Sequence, residues 1–503
     1  MNKYTESLKY FYQKASRLKR PFIKYPVSES GFNAIDKSKM DEFNTVRYHG
    51  PKKLACYNPF VNLYFNSRGQ GVICCRNQDT VLGTYPEKSI KEIWHGEVAE
   101  KLRETLRHND FSMGCEYCAH QFNTSRFFGL PSMHADYYSI NTVKGEVAYP
   151  KIIELELSNT CNLQCVMCSG IVSSSIRKCR ENLPPLENHY DEEFVKQLSE
   201  FLPHAKEIKF YGGEPFLIDV YYKIWDQLLA INSRAKLHVV TNGTVLTDKV
   251  RNYLKKLNFT ITVSFDALDK ESFESIRVGA DFDKVKKNIE EYNILLGGKG
   301  LSLSLTPMKM NCKEVPKVID FCNSMNATIN LSFVENPSEM AIWTMKSTDL
   351  EEIENYYKSY VFNSYSGVNS NYNIAAYRQF VNQLGVYKIN NKQCEDIFQS
   401  SLKSELECMN LLDEILEQTC AANVILASDK LEILSHIINK KSQLPIELQL
   451  VFLNNLYSFL SVDGINSIKK IMTPSLDITV LDQKLQDFVV MPKIYDKSYN
   501  SIS

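Results

Sequence analysis

Between residues 151 and 336 the chain alternates apolar, β-branched runs with helix-like segments, a rhythm that few folds accommodate. KIIELELS, KEIKFYGG, KLHVVTNG, FTITVSFDA, LSLSLTP and TINLSFVE read as six strands. DEEFVKQLSEFL, PFLIDVYYKIWDQLLAI, DKVRNYLKKL, DFDKVKKNIEEYNILL and KEVPKVIDFCNSM read as the helices between them. Strands joined through helices pair in parallel, by right-handed crossovers. The strand runs are nearly continuous in apolar residues, which predicts burial on both faces. A complete eight-unit barrel needs about 250 residues. Six units therefore predict an α/β fold with a partial (β/α)6 TIM-like barrel over residues 150–336.

The flanks are built differently. Residues 1–50 are a polar lead segment, and their start, MNKYTESLKYFYQKASRLKR, reads as a basic amphipathic helix without an apolar signal core. Residues 51–125 hold five of the fourteen cysteines, two strand-like runs (FVNLYFN and GVICC) around Ser67-Arg68-Gly69, and a helix-like stretch from Ser89 to Leu106. Residues 340–503 read as mostly helical, as in SELECMNLLDEILEQT and LPIELQLVFLNNLYSFLSV, with a polar tail after Met491. At 503 residues and 44% hydrophobic, the chain is globular and long enough for several domains. A net charge of −1 gives no global field toward nucleic acid or membrane, and no apolar run is long enough to span a bilayer. The expected location is cytoplasmic, where clustered cysteines bind metal or do chemistry rather than form disulfides.

SNTCNLQCVMC follows the first strand directly and spaces Cys161-x3-Cys165-x2-Cys168. Three thiolates on one short loop can wrap three corners of a cubane iron–sulfur cluster, leaving the fourth iron open to a small chelating molecule. The loop leaves the C-terminal end of a barrel strand, where parallel barrels carry their chemistry. A zinc site is the alternative; it asks for a fourth ligand, and Cys179 is the candidate.

CNLQCVMC resembles the signature loop of the radical S-adenosylmethionine (SAM) superfamily. The resemblance implies a [4Fe–4S] cluster on Cys161, Cys165 and Cys168 whose open iron is chelated by SAM. Reductive cleavage of SAM would give methionine and a 5′-deoxyadenosyl radical that abstracts hydrogen from a substrate. Met167 stands where the family often has an aromatic residue near adenine, and a thioether makes similar soft contacts. After the second strand, Gly212-Gly213-Glu214-Pro215 lets backbone approach a ligand and offers a carboxylate to an ammonium group. It resembles the family's Gly-Gly-Glu-Pro motif, which holds SAM's amino group. Thr241-Asn242-Gly243 resembles a tripeptide common after the third strand.

Ser264 and Asp266 flank Phe265, so both can point to one side; they resemble the family's contacts to the SAM ribose or carboxylate, with helix capping as the alternative. Arg277 resembles the family's arginine that pairs with SAM's carboxylate, and a surface helix residue is its alternative. Glu335 ends the sixth strand on the same rim. No residue is marked as a catalytic acid or base.

Cys56-x12-Gly69-x4-Cys74, followed by Cys115-x2-Cys118, resembles the first part of a SPASM domain or its short twitch form. The likeness extends through CYNPFVNLYFNSRGQGVICC, Leu82-Gly83, SIKEIWHG and Leu106-Arg107. It implies an auxiliary [4Fe–4S] cluster on Cys56, Cys74, Cys115 and Cys118; a zinc ribbon on the same cysteines is the alternative. In most relatives this module follows the barrel, and here it precedes it. Cys75 is left over, and the remaining cysteines, including Cys179, Cys312 and Cys322, are expected to pack as small apolar groups.

The expected activity is radical SAM hydrogen abstraction from a peptide or protein. The alternatives are a dehydrogenase or carbon–carbon bond former acting on a small metabolite and, in another class, a non-catalytic iron–sulfur or zinc scaffold. The Gly213-Glu214 pair beside the triplet argues against a scaffold, which has no need to hold SAM. An electron donor such as flavodoxin or ferredoxin is the expected protein partner. No basic stripe or aromatic motif points to nucleic acid. The cysteine module is expected to cover the barrel mouth, and the C-terminal region to pack on its flank and help bind a polypeptide.

Overall fold

The computed structural model describes residues 34–123, 125, 127, 130–138, 147–334, 337–401, 412–414, 416–417 and 437–438. The N-terminal basic segment, Glu335, LPIELQLVFLNNLYSFLSV and the tail after Met491 lie outside the described residues. The chain divides into two compact units, Met1–Phe333 with Val361–Tyr377, and Val334–Tyr360 with Arg378–Ser503.

In the first unit nine strands form one sheet: β1 (Asn62–Phe65), β2 (Gln70–Val72), β3 (Gly83–Thr84), β4 (Ile152–Leu155), β5 (Glu207–Phe210), β6 (Lys236–Thr241), β7 (Phe259–Ser264), β8 (Leu301–Leu305) and β9 (Thr328–Leu331). The spatial order is β3-β2-β1-β4-β5-β6-β7-β8-β9. β4 to β9 are the six strands read from the sequence, and all neighbours among them are parallel. The expected helices lie between them, at Glu192–Ser199, Asp219–Ala230, Asp248–Lys256, Phe282–Leu295 and Val315–Ser324, with a short additional helix at Lys270–Ile276. Asp191, Thr247, Asp269 and Asp281 each cap a helix by accepting a backbone N–H from its first turn. Such a cap is worth about 1 kcal/mol.

The registers sort the sheet into rows of one character. Leu63, Ile153, Ile208, Leu237 and Phe259 are successive partners across five strands, and Tyr64, Glu154, Lys209, His238 and Thr260 form the next row. The apolar rows meet the helices. Phe65 packs edge-on to Phe194 at 5.2 Å, Phe210 to Trp225 at 5.5 Å, and Phe265 lies 5.8 Å from Phe321. Edge-to-face pairs of this kind add about 0.5–1.5 kcal/mol each beyond the area they bury. These helices all sit on the same side of the sheet, which is the arrangement of a barrel wall rather than of a doubly wound sheet. Burial of both faces by apolar residues was the expectation, and it does not hold. The inner face is polar, lined by Glu154, Glu156, Lys209, His238, Thr262 and Ser304, whereas a closed TIM barrel fills its interior with branched apolar side chains.

The cysteine module joins this sheet. β1 runs parallel to β4, with Asn62 opposite Ile152 and Phe65 opposite Leu155, while β2 and β3 extend the edge antiparallel. The single helix expected over Ser89–Leu106 is two, Ile90–His95 and Glu97–Arg107, because the backbone of Gly96 is extended and ends the first. Ser89 and Glu92 form a reciprocal capping box on Ile90–His95.

The second unit is helical where described. Leu350, Ile353 and Tyr357 form the buried side of the helix Ser347–Ser359, and Lys388 pairs with Glu354 at 2.6 Å. Among the described residues no helix is long and apolar enough to cross a membrane.

Candidate functional site

The loop that leaves the C-terminal end of β4 carries Cys161, Cys165 and Cys168. Polar side chains hold its shape. Asn159 Nδ2 donates to Gly170 O at 2.9 Å, Cys161 N–H donates to Ser174 Oγ at 3.1 Å, and Ser173 Oγ donates to Leu163 O at 2.7 Å. Cys165 is buried; Cys161 and Cys168 are half-buried. A hydrogen bond from Cys168 and the nearby Arg277 charge pull the Cys165 thiol down, while that bond and burial push Cys168 up. Met167, in the turn before Cys168, is half-buried.

The Gly-Gly turn after β5 packs backbone to backbone against this loop. Gly213 N–H donates to Ser158 O at 3.0 Å, and Glu214 N–H to Thr160 O at 2.7 Å. Gly212 has φ +113°, and a Cβ there would stand 2.4 Å from Ser158 O; a Cβ on Gly213 would stand 2.2 Å from Thr160 O. The glycines are therefore demanded by the chain just ahead of Cys161 as much as by any ligand. Glu214 is fully buried and accepts from Thr241 Oγ1 at 2.7 Å, Asn242 N–H at 2.7 Å and Phe216 N–H at 3.1 Å. Burial pushes it up to about 7 against those bonds. Its carboxylate thus ties the end of β5 to the end of β6, with Pro215 opening the short turn Pro215–Leu217.

At the end of β7, Ser264 is half-buried and Asp266 is fully buried. Asp266 Oδ2 accepts from Arg277 Nε at 2.6 Å, and its Oδ1 from Thr306 N–H at 2.8 Å. Arg277 is not on the surface; its exposure is 9%, and Nη1 lies 3.8 Å from Cys165 Sγ. Sequence reasoning passed over Asn242 as a turn residue. Its Nδ2 donates to Asn162 Oδ1 at 3.0 Å and lies 3.8 Å from Cys161 Sγ.

Cys56, Cys74, Cys115 and Cys118 line a second cavity. Asn77 Nδ2 donates to Cys115 Sγ at 3.1 Å and Asn58 Nδ2 to Cys56 Sγ at 3.4 Å, contacts that no spacing revealed. Burial pushes the Cys56 thiol up to about 11 and Cys118 to about 12, so a metal must displace their protons to bind. Cys75 lies outside this group and is exposed, beside Glu154, Arg76 and Lys209. Cys312 and Cys322 are buried as expected of packing residues, but Cys179, which ends the helix Ser174–Cys179, is exposed and does not pack.

Strand direction places the two cysteine groups. Cys161 follows the C-terminal end of β4. Cys56 precedes the N-terminal end of β1, and Cys74 lies just past β2, level with that same end. Since β1 and β4 are parallel, the groups lie at opposite ends of these strands. The module therefore extends the sheet edge and does not cap the mouth, contrary to the covering arrangement expected from the sequence.

Among the described residues no three His, Cys, Asp or Glu side chains converge on one point, as ligands of a single ion would. A cubane asks instead for thiolates spread over its corners. Both groups supply that donor set, three thiols on an accessible loop and four around one cavity with amide donors at the sulfurs.

The comparisons agree. Residues 155–308 match the model of the Radical SAM superfamily, and residues 56–119 match SPASM, an iron–sulfur cluster-binding domain. The chain belongs to the radical SAM superfamily, with its SPASM domain ahead of the radical SAM domain. These domains imply a SAM-binding [4Fe–4S] cluster, SAM and auxiliary iron–sulfur clusters. A GTP 3′,8-cyclase of Clostridium botulinum is 32% identical over 192 residues, 36% of this chain and 55% of that protein. The radical SAM cyclopropyl synthase TigE of Paramaledivibacter caminithermalis is 30% identical over 162 residues, 29% of this chain and 32% of that protein. The chain thus spans about half the length of the cyclases it matches. Among solved structures, SuiB of Streptococcus suis bound to S-adenosylmethionine is 15% identical with a TM-score of 0.33, covering 54% of this chain and 66% of SuiB. The enzyme anSMEcpe with bound AdoMet is 18% identical with a TM-score of 0.32, covering 41% and 58%.

Proposed function

We propose that this protein is a radical SAM enzyme whose substrate-activating centre is built on Cys161, Cys165 and Cys168. The observation that carries the reading is the three-thiol loop at the C-terminal end of β4, with the glycine turn of residues 212–213 bonded to the backbone just ahead of it. SAM bound at such a cluster supplies, on reduction, a 5′-deoxyadenosyl radical that takes a hydrogen atom from substrate. The chain's own residues do the rest. Gly212 and Gly213 shape the rim, Glu214 and Pro215 fix that turn, and Met167 and Ser264 border the adenosyl side. Asp266 and Arg277 brace the loop. Cys56, Cys74, Cys115 and Cys118 hold an auxiliary cluster. Residues 51–125, 150–336 and 340–503 serve as auxiliary module, catalytic core and substrate-related helical region.

The substrate is a polar one, taken into the inner face of the barrel. Glu154 pairs with Lys209 at 3.7 Å, and Glu156 accepts a hydrogen bond from the Tyr64 hydroxyl. Burial holds His238 down to about 4, so it is neutral near pH 7, with Nδ1 3.0 Å from Thr260 Oγ1. A peptide segment or a small polar metabolite suits this face, and a flavodoxin- or ferredoxin-type donor in the cytoplasm supplies the electron. The test is anaerobic purification followed by iron and sulfide analysis and a SAM-cleavage assay with dithionite. Brown protein with about eight irons per chain and formation of 5′-deoxyadenosine is the expected result. Colourless protein holding zinc sinks the proposal.

A further inference from the structure

The cysteine loop is clamped to one three-residue segment. Gln164 N–H donates to Val278 O at 2.8 Å and Val166 N–H to Ile276 O at 3.0 Å. Bonds in this pattern run residues 164–166 antiparallel to residues 276–278, which sets Cys165 opposite Arg277 at a pair where side chains come closest. The side chains follow the backbone. Arg277 Nη1 lies 3.8 Å from Cys165 Sγ, while Nε is held by Asp266 at 2.6 Å. Asp266 is anchored in turn, since Thr306 N–H donates to its carboxylate and Asn311 Nδ2 to its backbone oxygen at 3.0 Å.

The pair is costly to build. Arg277 and Asp266 are 9% and 0% exposed, and taking two charges out of water is often no better for stability than an apolar pair. Stability alone therefore does not account for it. What the pair provides is a permanent cation at a cysteine sulfur in a poorly screened setting, where charges act strongly. Net charge, hydrogen bonds to sulfur and exposure are the levers that set the potential of an iron–sulfur site.

We infer that Arg277 is a positioning residue of the three-cysteine site: held by Asp266, its guanidinium faces Cys165 and stabilises the unit of negative charge that one-electron reduction adds there. The electron comes from an external low-potential reductant, and Arg277 keeps its protons throughout. The inference rests on the cluster reading proposed above. It differs from the family resemblance, which gives this arginine to SAM's carboxylate.

The test is a redox titration of the anaerobically reconstituted full chain without SAM, followed by electron paramagnetic resonance. The signal to follow is the one that added SAM perturbs. Arg277→Gln is expected to shift its midpoint to more negative potential, and Asp266→Asn to more positive potential, with Arg277→Lys between wild type and Arg277→Gln. Loosened packing alone would move both members of one ion pair in the same sense. Wild-type midpoints in Arg277→Gln and Asp266→Asn at full iron content overturn the inference. So does an unchanged midpoint with lost SAM affinity in Arg277→Gln, which assigns the guanidinium to SAM instead. If Arg277→Gln fails to load iron, Arg277→Lys and Asp266→Asn still decide through the sign of their shifts. Absence of any SAM-sensitive signal in the wild type refutes the cluster reading itself, a distinct outcome.

Discussion

The two cysteine groups of this protein differ in the way their environments are built. The group after β4 sits on a loop, with two of its three thiols half-exposed, a guanidinium at the third and glycine backbone alongside. The group beside β1 has four thiols around one cavity, and two neutral amides as its contacts to sulfur. An accessible, three-thiol site with a fixed cation suits a cluster that exchanges a ligand and changes charge. A four-thiol cavity suits one that stays fully ligated. The contrast shows that cysteine count is the lesser part of the difference; what surrounds the sulfur separates the two.

Substituting one cysteine in each group should break the comparison most sharply. Cys165→Ala is expected to reduce SAM cleavage to the level of buffer, a loss of more than about 100-fold, since even changes one shell out from a metal cost 10–100-fold. Cys115→Ala should lower iron by about half, as one of two cubanes is lost, while some SAM cleavage survives. Iron analysis and 5′-deoxyadenosine assay of the two soluble variants decide it. Equal and total loss in both would mean that the groups are not separate sites.

The glycine turn gives the next largest effect. Gly213→Val places a branched carbon where Thr160 O already stands 2.2 Å from an added Cβ. Overpacking of this kind costs about 1–3 kcal/mol, and the strain falls on the residue before Cys161. The variant should therefore lose iron from the three-cysteine site and keep it in the four-cysteine cavity. From the sequence alone the same substitution would be expected to block SAM and leave iron untouched. A spectrum with full iron in both sites and weak SAM binding by calorimetry would restore that simpler view.

The smallest effect concerns Glu214. Burial raises it to about 7, above its unfolded value of 4.5, so the folded protein holds that proton more tightly than the unfolded chain. The resulting stability is complete below pH 4.5 and is lost as pH rises toward 7. For a fully buried group this amounts to at most about 3 kcal/mol. Denaturant unfolding of the cluster-free protein at pH 5 and pH 8 should show a loss in the wild type that Glu214→Gln lacks. Identical pH dependence in both would mean that the three hydrogen bonds to the carboxylate outweigh its burial.

Much of the fold was legible because its signals are local. The six core strands and their intervening helices lie where apolar runs and capping residues such as Asp191, Asp269 and Asp281 mark them. Cysteine and glycine spacings also act over a few residues, so both cysteine groups and the turn at residues 212–213 could be singled out. The break at Gly96 was missed because a glycine inside a helical pattern is often tolerated. The polar inner face was missed because Glu154 and Lys209 interrupt their runs only once or twice, and the face they share appears only when the strands are in register.

What the sequence determined by itself is the set of parts: a (β/α)6 core, a cysteine loop at the end of its first strand, and a second cysteine module ahead of it. Tertiary structure alone decided how they meet. The parallel pairing of β1 with β4 joins residues about 90 positions apart, and it carries the auxiliary cysteines to the strand end opposite Cys161. The opposition of Arg277 to Cys165 likewise depends on two backbone hydrogen bonds between distant segments. Contacts of this kind are set by strand direction and register, and neither property is written in any short stretch of chain.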